Sequence, residues 1–267
     1  MTASIITPAA SVGTPRLAGL GALVRKERLE WFRGRRAWVV AIVTTVLMVL
    51  TAANAWINMT LRGAFPSEET AGLEPLSMAP LDNIGMAVSA QLFVVVAILA
   101  LASLVARERE SGTLAWVASK PVARSSIFAA KWIAATAMLA VVAAIVPLGI
   151  TAALAVPLYG IPDGPPLVAM GAGMIALLVF YAAVALTLGT ILPSTAAVAG
   201  VTFAVYALPL FVGFIPAVMQ FLPHSIIGWL IGVAGGADVG FVTPISWAVV
   251  TVAIAAIGIR RLDRLEL

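Results

Sequence analysis

Long uncharged apolar stretches alternate along the chain with short, charge-rich ones. A helix crossing the roughly 30 Å hydrocarbon core of a bilayer needs about 20 mostly apolar residues. Stretches of that length predict spans near residues 37–58, 84–105 and 132–156. From Gly164 to Pro223 there is no charge at all, which leaves room for two crossings. Pro193-Ser194 marks the turn between them, because proline breaks a helix and serine caps the next one. That gives spans near 167–192 and 195–222, and Val239 to Ile259 supplies a sixth near 240–260. Backbone groups in lipid must hydrogen-bond internally. The predicted class is therefore an all-α integral membrane protein with six transmembrane helices.

Three segments fit no span. Residues 1–15 read as a polar N-terminal tail, with no basic stretch leading into an apolar one as a cleavable signal would have. Residues 16–36 place Leu17, Leu20, Val24 and Trp31 at helical spacing beside Arg25, Lys26, Glu27 and Arg28. This predicts an amphipathic interfacial helix on the membrane surface, broken near Gly34. Ser225 to Val233 is apolar but too short to cross, and it follows Pro209, Pro216 and Pro223. It predicts a bent fifth span and then a short outer re-entrant or interfacial helix before the last span.

Charge decides the orientation. Every one of the 16 Lys and Arg residues except Arg62 lies before the first span, between the second and third, or after the sixth. The remaining loops carry Glu68, Glu69, Glu74, Asp82, Asp163 and Asp238. By the positive-inside rule the basic segments, and with them both termini, are cytoplasmic, in a cell (inner or plasma) membrane. An even number of crossings follows. Composition agrees: 62% of residues are hydrophobic and 10% charged, against about 25% charged in soluble domains. The basic balance is explained by anionic lipid rather than nucleic acid. No cysteine is present, which excludes disulfides and thiolate metal sites, and the single His224 excludes a histidine metal cluster.

The cytoplasmic loop 106–131 reads RERESGTLAWVASKPVARSSIFAAK from Arg107. Ser111-Gly112 breaks the chain, Thr113 can cap a short helix holding Leu114, Trp116 and Val117, and Pro121 ends it. Ser125 or Ser126 then caps the third span. A short helix presenting a Trp and a Leu at the membrane face suits docking of a soluble partner. This loop resembles the signature of type-2 ABC exporter permeases, an E-x-E-x-G-T-L segment, a short helix and a P-x-x-R turn. It is carried here by Glu108, Glu110, Gly112, Thr113, Leu114, Pro121 and Arg124, with Lys131 opening the next span and Ala115 where the family often has an acid.

The resemblance implies a half-transporter: two permease chains, identical or related, form the membrane pathway over two separate ATPase subunits. Thr113 to Lys120 would be the coupling helix, with Glu108, Glu110, Trp116, Val117, Lys120 and Arg124 among the ATPase contacts. Glu108 and Glu110 would pair with Arg107, Arg109, Arg124 or the Arg25–Arg28 group. It also implies that spans one, two and five line the dimer interface.

The chemistry left to the chain itself is slight. No G-x-x-x-x-G-K-[ST] occurs, so ATP and Mg belong to the partner and no cofactor is bound here. No ionisable group lies mid-span, which disfavours an ion-coupled carrier. Ser89, Ser103 and Ser194 have no in-span base to activate them, which disfavours a protease. A lipid-modifying enzyme would need clustered acid, base or metal-ligand groups at one face, and none is visible. The in-span polar residues are Thr44, Thr45, Asn54, Gln91, Thr136, Thr151, Tyr181, Thr187, Thr202 and Tyr206. Asn54, Gln91, Thr202 and Tyr206 are the pathway candidates, in a wall suited to lipidic, amphipathic or drug-like substrates. His224 reads as a structural or interfacial residue. Ala129, Ala130, Ala134, Ala135, Gly171 and Gly173 read as close-packing positions. The alternative function is a membrane anchor that couples the ATPase to a periplasmic partner without carrying a substrate.

Overall fold

A computed structural model describes residues 19–64, 76–113 and 123–264. Among them there is no strand. In chain order the helices are α1 (Leu20–Arg33), α2 (Arg36–Ala52), α3 (Asn54–Ala64), α4 (Pro80–Ser89), α5 (Leu92–Glu110), α6 (Arg124–Leu139), α7 (Val146–Tyr159), α8 (Gly164–Ile191), α9 (Thr195–Val212), α10 (Pro216–Met219), α11 (Ile226–Ala234) and α12 (Val242–Arg264). Five stretches are long and apolar enough to cross a membrane: Pro80–Glu110, Arg124–Tyr159, Gly164–Ile191, Thr195–Val212 and Val242–Arg264. A sixth exists if α1 and α2, bent by 62° at Gly34-Arg35, count as one.

The interruptions have local causes. At the α1–α2 bend, Gly34 N–H still bonds Glu30 O, while Arg35 adopts φ 56, left-handed for a non-glycine residue. Between α4 and α5, Gln91 does the same at φ 51. Between α6 and α7 the backbone widens into a π-helical turn, Ala140–Ile145. Pro147 follows it, lacks an N–H and crowds the preceding turn, so a wider ring there relieves the clash. α9 stops at Val212, short of the expected 222, and only the single turn of α10 follows it before Pro223. Ser125 and Ser126 lie inside the first turn of α6, and Ala123 stands at the cap position without a side-chain bond. The third span thus begins uncapped, contrary to expectation. Ser194 does cap α9, its Oγ accepting from Ala197 N–H at 3.2 Å.

α8 is the axis. Of its most apolar stretch 61% is buried, against 11% for α9 and 22% for α12. α5, α6, α11 and α12 all pack on α8, and α2 packs against α4 and α7. Close approach is bought by glycine. A Cβ on Gly173 would lie 2.8 Å from Ile227 of α11, and one on Gly189 would lie 2.8 Å from Val105 of α5. One on Gly258 of α12 would overlap the Phe128 ring and the Thr187 hydroxyl.

The basic segments gather at one end of this bundle: α1, the end of α5, the start of α6 and the end of α12, with the uncharged α8–α9 turn beside them. The opposite, far end holds Tyr159, whose hydroxyl donates to Ala52 O (2.8 Å) and accepts from Trp56 N–H (3.1 Å), bridging the α2–α3 junction. Gly258→Ala is expected to lower stability by about 1–3 kcal/mol through overpacking, read as thermal unfolding in detergent. Gly200→Ala, with nothing within 4 Å of the added carbon, should leave the midpoint unchanged or raise it.

Candidate functional site

At the basic end, the inner face of α1 runs through Leu20, Val24, Glu27 and Trp31, so an acid falls in an apolar stripe at helical spacing. Packing that face on α6 buries Glu27 and Trp31. Lys131 comes from α6 to meet it and is 3% exposed. Its Nζ donates to Glu27 Oε1 at 2.9 Å and to Glu108 Oε1 at 2.8 Å. Lys26 adds a more exposed ammonium, 3.3 Å from Glu27, 3.1 Å from Glu30 and 3.6 Å from Glu108. Burial alone would lower the Lys26 ammonium. Glu27, Glu108 and Glu30 together outweigh that and hold it above its ordinary range. The network borders a cleft of about 410 Å³, lined also by Arg36, Arg107, Ser111 and Thr113.

The two residues after Glu108 take other partners. Arg109 Nη1 donates to Gly189 O (3.0 Å) and Leu192 O (3.1 Å), carbonyls at the C-terminus of α8. Glu110 Oε1 accepts from Thr195 N–H at 2.9 Å, at the N-terminus of α9. A cation thus meets the negative end of one helix dipole and an anion the positive end of the next. Arg124, where the chain rejoins α6, donates to Asp263 O at the end of α12 (3.1 Å). Gly112 lies between these clamps at φ 71, a left-handed conformation.

Glu27, Glu30 and Glu108 could in geometry surround a cation, but Lys26 and Lys131 already hold that space. What the arrangement can do chemically is mechanical. It fixes the root of the loop that follows Thr113 to α1, α6, α8, α9 and α12 at once.

A second feature lies at the far end. A cleft of about 600 Å³ is lined by Ser89, Gln91, Gln220, His224, Trp229 and Thr243 among others. Behind it, the Tyr181 hydroxyl lies 3.0 Å from His224 Nε2. The Tyr206 ring sits 5.9 Å from that of His224 and 6.2 Å from that of Tyr181. Burial pushes the His224 imidazole down to about 4, so the ring is neutral near pH 7.

With this geometry in hand, comparison with protein families is decisive: a profile described as ABC-2 family transporter protein matches residues 22–259. The chain belongs to the ABC-2 family. Comparison with curated proteins gave no match. Membership makes it a multi-pass membrane component of an ABC transporter, a class that works with an ABC ATPase subunit.

The positions that the ABC-2 resemblance singled out fall in three groups. Glu108, Glu110 and Arg124 are brought to the loop root, together with Gly112 and Thr113. Glu108 meets Lys26, inside the expected Arg25–Arg28 group, and also Lys131, and not Arg107 or Arg109, which sit at other angles around α5. Leu114, Trp116, Val117, Lys120 and Pro121 lie outside the described residues. Of the pathway candidates, Tyr206 reaches the α4–α5 break, where its hydroxyl lies 3.4 Å from Ala90 O, and Gln91 lines the far cleft. Thr202 is buried, with its hydroxyl donating to Val198 O of its own helix (2.7 Å). Asn54 opens α3 and accepts from the Asn58 amide. Glu27, which the motif does not contain, and Lys131, which the motif placed only at the start of the next span, meet at the centre of this network.

Lys131→Met should cost up to about 3 kcal/mol by leaving Glu27 buried and Glu108 partly buried with only the more exposed Lys26 beside them, measured by thermal unfolding in detergent. Adding Glu27→Gln and Glu108→Gln to it should restore most of the loss. His224 sets a pH dependence. Its folded value lies below the ordinary 6.5, so its contribution is complete above pH 6.5 and is lost as pH falls toward 4. By pH 5 the loss should reach roughly 1–2 kcal/mol. His224→Gln should flatten that part of the unfolding curve between pH 7 and 5.

Proposed function

We propose that the chain is the permease subunit of an ATP-driven exporter. It works as a dimer with a second permease chain over two ATPase subunits, and it moves a lipidic, amphipathic or drug-like substrate. The observation that carries this reading is the tying of Glu108, Arg109, Glu110 and Arg124 to α1, α6, α8, α9 and α12. A loop rooted so firmly is fit to transmit force. Loops that merely connect helices carry few such ties, since exposed ion pairs contribute little on their own.

In this reading the ATPase dimer biases a passive two-state bundle by binding its conformations with different affinity. Moving a 1:99 balance to 99:1 takes about 5.5 kcal/mol. A rigid short helix over Thr113 to Lys120, seated in the ATPase with Trp116 as its anchor, is the lever. The clamps spread that force into the bundle, and the basic end faces the cytoplasm.

Trp116→Ala and Gly112→Pro test the assignment. Proline cannot adopt the positive φ of residue 112, so it should misdirect the loop. Co-expressed with an ABC ATPase that co-purifies with the wild-type chain, each variant should insert normally but lose co-purification of the ATPase by tenfold or more. Normal assembly of both variants would remove the coupling role.

A further inference from the structure

The far-end cleft differs in kind from the basic end. None of its lining residues is Asp, Glu, Lys or Arg. Its polar members are amides, hydroxyls and one imidazole, and several keep hydrogen-bonding capacity in hand. Gln91 makes no side-chain hydrogen bond among the described residues, nor does Thr243, which is 8% exposed. Gln220 uses one amide N–H on Ala217 O (3.2 Å), and its carbonyl oxygen remains free. Gln91 also sits at a left-handed φ of 51. Strain of that kind, of order 1–3 kcal/mol, collects at functional positions because it fixes where a side chain emerges.

An apolar wall completes the cleft. Trp229 is pinned by its indole N–H, which donates to Gly240 O at 2.7 Å. From His224 an aromatic track leads out to the bundle surface: the Tyr206 ring at 5.9 Å, then the Phe203 ring 5.6 Å further on. Phe203 is 48% exposed on α9, the span with the least buried surface. Neutral donors and acceptors beside an indole, opening onto an exposed aromatic strip on α9, match a molecule with two unlike halves. A charged headgroup would find no counter-charge there, and desolvating it without one is costly.

We propose that this cleft receives the uncharged, hydroxyl-bearing headgroup of an amphipathic ligand, with Gln91 and Thr243 as its hydrogen-bonding contacts and its apolar chain lying along the Tyr206–Phe203 track. The assignment rests on the permease reading for its role in transport, and it narrows the substrate class to neutral glycoside-like or polyol-like amphipaths.

The test uses the full chain reconstituted in phosphatidylcholine vesicles without any ATPase. Two probes carry bromine on the acyl carbons nearest the headgroup: monoglucosyl diacylglycerol, and phosphatidylglycerol with the same chains. Quenching of Trp229 is isolated as the difference between the wild type and Trp229→Phe. The glucolipid should quench Trp229 at a several-fold lower mole fraction than phosphatidylglycerol. The double variant Gln91→Ala/Thr243→Val should weaken that preference about tenfold, as expected for two lost hydrogen bonds. Should the double variant fail to fold by circular dichroism, Gln91→Ala alone should weaken it about threefold.

Equal quenching by the two lipids, preference for the anionic one, or an unchanged preference in the variants would each overturn the assignment. Because no ATPase is present, a failure of Trp116→Ala to lose its partner bears on the transport reading and leaves this result standing.

Discussion

The charge buried most deeply among the described residues is the ammonium of Lys131, 3% exposed against 5% for Glu27. Taking an ion out of water costs several kcal/mol even after relaxation, and only close, well-directed anions offset it. Here two carboxylates do so, Glu27 from α1 and Glu108 from α5, at 2.9 and 2.8 Å. They come from segments far apart in sequence, so the contact forms only when α1 lies across α6 and α5 reaches the same level. Hydrophobic packing in a membrane bundle is nearly indifferent to sliding, since lipid chains are as apolar as the side chains they replace. A buried ion triad is not indifferent. A shift of one helical turn would separate its members by about 5.4 Å, and so it sets the register of the basic end.

That register explains the roles of the neighbouring charges. With Glu108 held by Lys131, the helical turn carries Arg109 toward the last carbonyls of α8 and Glu110 toward the first amide of α9. Neither bond contributes much alone. Anchored by the buried triad, they connect the loop root to the central helix and to the least buried one, so displacement at Gly112 cannot stay local.

Much of this was legible in the chain. Uncharged runs pointed to the five helices long and apolar enough to cross a membrane, Pro193-Ser194 located the tight turn with its serine cap, and the E-x-E-x-G-T-L stretch pointed to the loop and the family. What escaped shares one physical character: each case needs a partner remote in sequence. Glu27 was visible as an acid in the gap between Val24 and Trp31, yet only the presence of Lys131 on α6 turns that gap into a contact. Lys131 read as the residue opening the next span, but its residue type in the sequence says nothing of its 3% exposure. The left-handed Gln91 carries no local signal, since glutamine has no preference for that conformation. The early end of α9 at Val212 lay hidden in an apolar run whose prolines argued for a bend instead of a stop.

α5 unites the two ends. It begins directly after the strained Gln91 at the far cleft and finishes at Glu110 beside the buried triad. Its 19 residues span about 28 Å at 1.5 Å per residue, close to the thickness of the hydrocarbon core. An uninterrupted helix of that length is stiff along its axis. Motion at its clamped end therefore reaches the other end with little loss, and there the backbone gives way at a single residue in a sparsely populated conformation. The break at Gln91 divides two segments that both pack on α2, and α5 packs in addition on α8 and α9. The residue that bears the strain also offers its amide to the cleft, so any change in its backbone alters how that amide is presented. On the proposed reading, two conformations at this one residue would couple a push at the basic end to the grip on a ligand at the other.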